Sequence, residues 1–274
     1  MEERKIAERD FHDMLRESAG DVHVMDTRWS PEMEETISNN PLWTNMKYYA
    51  IERKSRQMVL SWFSANTPGK VVLDYCCGNG EDGVLIARGG AKKVYGIDIS
   101  DVSIKNSQMH AKNANVEVDH RQGDAEATGF SDDMFDVVTE YGALHHLDLE
   151  KAFMEISRIL KPNGKAICQE ALAHNILIHL YRKLTPKMRT EWEVEHILRK
   201  PAFDVARKYF GKVEIRFFHL FSLFSVPFRN TFLFNPLLTA LEWLDDVVLK
   251  IPGVKWQAWQ AVIVLSEPKK SPNG

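Results

Sequence analysis

A chain of 274 residues, 44% hydrophobic and 27% charged with a formal net charge of −3, has ordinary globular composition. That excludes a disordered or fibrous chain, and it argues against a protein that covers nucleic-acid phosphates, which needs a net basic face. The length permits a core that needs no disulfide staples. The three cysteines, Cys76, Cys77 and Cys168, are odd in number and two are adjacent. They form no disulfide framework and point to a reducing, cytoplasmic setting. The N-terminal stretch mixes acids and bases without an apolar core, so no signal peptide is expected. No uncharged apolar run reaches the roughly 18 residues of a membrane span.

Residues 1–66 read as helical and polar, broken at Pro31 and Pro41, with aromatics gathered late (Trp43, Tyr48, Tyr49, Trp62, Phe63). Residues 70–75 (KVVLDY) form a short β-branched run. A helix over 81–88 is stopped by Gly89-Gly90, a strand follows over 93–98 and a helix over 101–114. Residues 116–120 and 135–140 read as strands, and 149–160 as an amphipathic helix. The turn Lys161-Pro162-Asn163-Gly164 leads into a fifth strand over 165–170. Strands alternating with helices of this length predict βαβ units and a parallel sheet covered on both faces. Residues 188–209 read as helix, restarted by Pro201. Residues 212–224 and 256–265 read as a strand pair closing the sheet at its edge. Between them lies an insert, 226–255, rich in Phe, Leu and Trp. It is expected to pack on its own sheet; a homodimer contact or a peripheral membrane contact are the other readings.

The strand ending at Asp74 runs into a turn through Gly78 and Gly80, and a helix opens near Glu81. Glycines there let the backbone approach a ligand, and the helix N-terminus adds donors. Asp98, ending the second strand, is placed to accept both hydroxyls of a ribose. The spacing Gly78-Asn79-Gly80-Glu81-Asp82-Gly83 also satisfies the dinucleotide fingerprint. Asp74 tilts the choice, because a carboxylate repels a pyrophosphate but attracts a sulfonium and an amino group. A cationic, phosphate-free cofactor such as S-adenosylmethionine is favoured.

With these residues in view, the chain resembles the class I S-adenosylmethionine-dependent methyltransferases, from about residue 68 to 170 and loosely beyond. Their first motif appears as Asp74-Tyr75-Cys76-Cys77-Gly78-Asn79-Gly80, with Cys76 in the place of the first glycine. Asp98-Ile99 matches the ribose acid, Gly123-Asp124-Ala125 the adenine loop, and residues 135–147 and 159–165 the fourth and fifth strands with their flanks. The nearest likeness is to the branch that modifies quinones and sugars. The resemblance implies a seven-stranded, mostly parallel Rossmann-like sheet with helices on both faces. An N-terminal helical lid (1–66) precedes the cofactor-binding domain (67–274), and a helical insert separates strands 6 and 7. It implies cofactor contacts at Asp74, Cys76, Gly78, Gly80, Asp98, Ile99, Asp124, Ala125 and Glu140, with Tyr48 as a lid aromatic beside the sulfonium. The implied reaction is in-line methyl transfer to a small-molecule acceptor, with O-methylation favoured. Tyr141, His174, Arg189 and His196 are the expected acceptor contacts. His146, His145 and Glu170, in that order, are the candidate general bases at the carboxyl edge of the sheet. No metal site is expected, since zinc wants two spaced ligand pairs. A nicotinamide-dependent oxidoreductase and a non-catalytic cofactor-binding partner subunit remain the alternatives.

Overall fold

The computed structural model describes residues 2–19, 34, 35, 38, 41–185 and 189–270; the break expected at Pro31 lies outside them. Strands β1 (Val71–Tyr75), β2 (Lys93–Asp98), β3 (Asp119–Gln122), β4 (Phe135–Tyr141), β5 (Leu160–Ala171), β6 (Phe210–Phe218) and β7 (Gln260–Pro268) form one sheet. Their order is β3-β2-β1-β4-β5-β7-β6. β7 is antiparallel to both β5 and β6, and the other pairs are parallel. The strand order reverses between β1 and β4, which opens a crevice beyond their carboxyl ends.

The helices are α1 (Glu3–Ala19), α2 (Arg53–Asn66), α3 (Glu81–Arg88), α4 (Asp101–Asn113), α5 (Leu149–Ile159), α6 (Ile176–Leu184), α7 (Glu191–His196), α8 (Lys200–Tyr209) and α9 (Phe234–Val248). A 3₁₀ segment over Pro41–Ile51 leads into α2. β1 and β4 are apolar on both faces because both are covered. On one face Leu73 and Val138 pack with Phe153 and Ile156 of α5 and Phe203 of α8. On the other, Val72 and Val137 meet Val59 and Phe63 of α2 and Ile86 of α3. Truncating a fully buried ring such as Phe135 or Phe153 to alanine costs about 3–5 kcal/mol.

Four helices, α4, α5, α6 and α7, are fixed by side-chain caps. Ser100 Oγ accepts from the Ser103 N–H (2.9 Å), Asp148 from Glu150 (3.0 Å), Asn175 from Ile178 (3.0 Å) and Thr190 from Glu193 (3.1 Å). Each such cap is worth about 1 kcal/mol. Several boundaries depart from the sequence reading. β3 starts at Asp119 because residues 115 and 116 are spent ending α4: Asn115 sits at φ +55° and the Val116 N–H bonds back to Ala111. β6 stops at Phe218, where His219 at φ +65° turns the chain into a 3₁₀ segment over Ser222–Phe228. The helix read over 188–209 is two helices, divided where Leu198 bridges to Leu172; Met188 lies outside the described residues. Leu223 and Val226, with Phe234 and Leu238 of α9, pack against Ile51, Ile178 and Trp259. Phe232 and Trp243 stay exposed on the same segment. Among the described residues, no helix is long and apolar enough to cross a membrane.

Candidate active site

β1 leaves the sheet through a turn with Cys76 at φ +57° and Gly78 at φ +52°. That left-handed region suits glycine, so Cys76 holds its turn under strain. A Cβ on Gly78 would lie 2.8 Å from the Arg16 guanidinium. Gly80, at φ +80°, heads α3, and a Cβ there would meet Ser107 and His120 at 2.8 and 2.9 Å. Its lack of a side chain serves close packing onto α4 and His120.

Two cavities adjoin at this turn. The smaller, about 100 Å³, is lined by Asp98, Ile99, Asp124, Ala125 and Leu147. Asp98 accepts the Gly78 and Ser100 N–H groups, each at 2.9 Å. Each of its oxygens keeps a second acceptor site, which fits two ribose hydroxyls. Burial raises the Asp98 pKa, against those two backbone bonds. Asp124 accepts the Glu126 N–H (2.9 Å) and the Lys5 ammonium (2.7 Å). Asp74 lines the larger cavity and accepts the Gly83 N–H at 2.9 Å. Burial, then the charge of Asp82, push its carboxyl well above the usual range. A cation arriving beside Asp74 would draw it back to the charged form.

Below the loop after β4 lies a buried acid pair. Glu140 accepts the Ala143 N–H, and its carboxyl is pushed well above the usual range by burial and by the charge of Glu170. It is 2% exposed and lines neither cavity, which corrects its expected cofactor contact: it braces the loop from below. Glu170 is 0% exposed and accepts the Leu144 N–H (2.6 Å) and His145 Nδ1 (2.7 Å). Burial acts to raise it, but the charge and bond of His145 hold it below its ordinary value. Glu170 therefore does not reach the cavity as a base, and its place is behind His145.

His145 and His146 line the larger cavity, and His146 borders the smaller as well. Their rings lie 4.3 Å apart between centroids. His146 Nδ1 meets Glu8 at 2.8 Å. Burial opposes its charge, yet the bond to Glu8 and the charges of Glu193 and Glu8 leave its pKa raised. Each histidine thus has one nitrogen fixed by a buried carboxylate.

The larger cavity holds about 290 Å³. Tyr48, placed by the sequence beside the cofactor, lines it, packed on Tyr181 (5.3 Å) and Trp259 (5.5 Å). Tyr141 borders both cavities and donates its hydroxyl to Glu52 at 2.5 Å. Arg189 lines the cavity and pairs with Glu193 at 3.3 Å. His174 and His196 do not line it. His174 accepts the Lys200 N–H (3.3 Å) against Trp256, and His196 stacks on Trp192 at 3.5 Å. Both expected acceptor contacts are corrected to helix-anchoring roles.

The sequence reading passed over α1. Lys5, Glu8, His12 and Arg16 fall on one helical stripe and face the cavities. Lys5 reaches Asp124 and Glu126, Glu8 holds His146, His12 packs edge-on against His146 (4.9 Å) and Arg16 stands over Gly78. Burial, then the charges of His146 and Arg16, push His12 well below its ordinary value. The spacing of three and four between these ionisable residues was the available signal.

Comparisons with known proteins agree with this geometry. Residues 72–164 match the methyltransferase domain family model. The chain is 31% identical over 166 residues to the 2-phytyl-1,4-naphtoquinone methyltransferase of Synechocystis sp., covering 54% of this chain and 68% of that one. It is 29% identical over 157 residues to the enzyme of that name from Synechococcus elongatus, covering 54% of this chain and 63% of the relative's length. Among solved structures, Haemonchus contortus phosphoethanolamine N-methyltransferase 2 in complex with S-adenosyl-L-methionine superposes with a TM-score of 0.56 at 19% identity, covering 79% of this chain and 53% of that one. Turn, sheet order and sequence likeness converge: this chain belongs to the class I S-adenosylmethionine-dependent methyltransferases.

Proposed function

We propose that the protein transfers a methyl group from S-adenosylmethionine to a small-molecule acceptor held in the 290 Å³ cavity. The observation that carries this reading is the junction of the two cavities. Asp98 and Asp124 line the smaller, and the walls they share include Cys76, Tyr141, Gly142 and His146. The residues fit the cofactor: Asp98 for the ribose, Asp124 and Ala125 for the adenine, Asp74 for the cationic end and Arg16 for the carboxylate. Bound there, the cofactor supplies an electrophilic methyl on a sulfonium. The protein's part is to align the acceptor in line with that methyl and to exclude water.

The acceptor atom favoured here is a hydroxyl. His145 and His146 are two of the ionisable groups at the cavity wall, each with Nδ1 tied to a carboxylate, which leaves Nε2 to take a proton. The quinone substrates named for the relatives make a phenolic hydroxyl or ring carbon of a small aromatic the first acceptor class to try. Radiolabelled methyl transfer from S-adenosylmethionine to a panel of dihydroxyaromatics tests the reading. Turnover that falls at least tenfold in His146→Ala, with S-adenosylhomocysteine affinity within about threefold, supports it. Loss of cofactor affinity together with turnover refutes the assignment of His146 to the acceptor side.

A further inference from the structure

Arg182 of α6 lines the larger cavity among Tyr48, Ile178, Tyr181 and Trp259. Its carbonyl accepts the Thr185 N–H at 3.2 Å, and among the described residues its guanidinium makes no hydrogen bond and no ion pair. The carboxylates whose charge reaches it are Glu193 and Glu170. Both are already matched, Glu193 by Arg189 at 3.3 Å and Glu170 by His145 at 2.7 Å. A second uncompensated cation stands close by. The Lys47 ammonium lies 4.6 Å over the Tyr181 ring and 5.3 Å over Tyr48, with no carboxylate partner among the described residues. This end of the cavity therefore carries excess positive charge inside aromatic walls. Burial, and then the neighbouring Arg189 against the pull of Glu193, lower the Arg182 pKa to about 10, which leaves the guanidinium charged at neutral pH.

A half-buried guanidinium without a partner is costly to hold unless a ligand supplies its anion. In the proposed reading the cofactor's own carboxylate belongs to Arg16, which stands over Gly78. We infer that Arg182 recognises an anionic group, a carboxylate or a phosphate, on the acceptor, so that the substrate is an apolar or aromatic body carrying an acid. The planar fork of arginine binds either anion through two parallel bonds, and Tyr48, Tyr181 and Trp259 would hold the body. This inference rests on the methyltransferase reading only in calling the ligand an acceptor; the anion site stands without it.

The test uses the full chain with and without S-adenosylhomocysteine, titrated calorimetrically with benzoate, phenyl phosphate and neutral benzyl alcohol. At least one anion should bind tenfold or more tightly than benzyl alcohol. Arg182→Gln should remove that advantage, Arg182→Lys should restore part of it, and S-adenosylhomocysteine affinity should stay within about threefold in both variants. The preferred anion distinguishes a carboxylate from a phosphate ligand. The inference is overturned if neither anion binds below roughly 10 mM, or if Arg182→Gln leaves the preference intact. It is equally overturned if Arg182→Gln weakens S-adenosylhomocysteine tenfold, which would assign the guanidinium to the cofactor. Failure of the wild type to bind S-adenosylhomocysteine, with anion binding retained, would instead remove the methyltransferase reading.

Discussion

Replacing Glu170 by glutamine changes one atom at the foot of the site and reverses the direction of a hydrogen bond. The carboxylate accepts two N–H groups, from Leu144 at 2.6 Å and from His145 at 2.7 Å. An amide can accept at one end only. The Leu144 N–H is fixed by the backbone, so the glutamine oxygen stays with it and the amide nitrogen faces His145. His145 must then present an unprotonated Nδ1 and carry its proton on Nε2, the nitrogen that faces away from Glu170. A base whose free nitrogen already bears a proton cannot accept another, and an equivalent change in the serine-protease triad costs about 10⁴ in turnover. Because His146 lies beside His145, the loss expected here is smaller, roughly ten- to a hundredfold, the worth of one charge-assisted bond. Stability should fall by about 1–3 kcal/mol for the mismatched buried polar group. Nitrogen-15 NMR of the imidazole reads the tautomer directly and needs no acceptor. Glu170→Gln should move the proton from Nδ1 to Nε2 and leave S-adenosylhomocysteine affinity within about threefold. An unchanged tautomer, or cofactor affinity lost with an intact fold, would refute the positioning role of Glu170.

Asp98→Ala should weaken S-adenosylhomocysteine about tenfold to a hundredfold by calorimetry, through loss of its ribose bonds; unchanged affinity would remove Asp98 from the ribose. Cys76→Gly should raise thermal stability by about 1 kcal/mol by relieving the φ +57° strain. It should keep cofactor binding, and a hundredfold loss would mean that the thiol itself takes part. Burial raises Glu52 from 4.5 to about 7, although Tyr141 and Gln260 donate to it. Its contribution to stability is complete below pH 4.5 and is lost as pH rises through about 7. Glu52→Gln should therefore gain melting temperature on the wild type across that window and run parallel above roughly pH 8; a constant difference at all pH values would contradict this.

The sheet was legible because its strands are apolar on both faces and separated by turn chemistry. Val72 and Leu73, or Val137 and Val138, put apolar side chains on both faces in turn, as a strand covered on both sides requires. That Asp98, Ile99, Asp124 and Ala125 share one cavity was legible for the same reason, since they follow the ends of consecutive strands. The acceptor half was not, because its residues come from elements whose orientation no local pattern fixes. His174 and His196 follow the right strand but turn toward Lys200 and Trp192. Arg182 and Glu193 line the cavity from two short helices capped by Asn175 and Thr190, whose placement no local pattern predicts. Glu140 and Glu170 alternate off buried strands, where sequence cannot tell a lining carboxylate from one that holds a loop from beneath.

The central claim is that the joined cavities form an S-adenosylmethionine site. Calorimetric titration of the purified chain with S-adenosylhomocysteine and, separately, with NAD tests it most directly. The account predicts one-to-one binding of S-adenosylhomocysteine, weakened in Asp98→Ala, and no measurable heat with NAD. Binding of NAD at the same site, competing with or replacing S-adenosylhomocysteine, would contradict it.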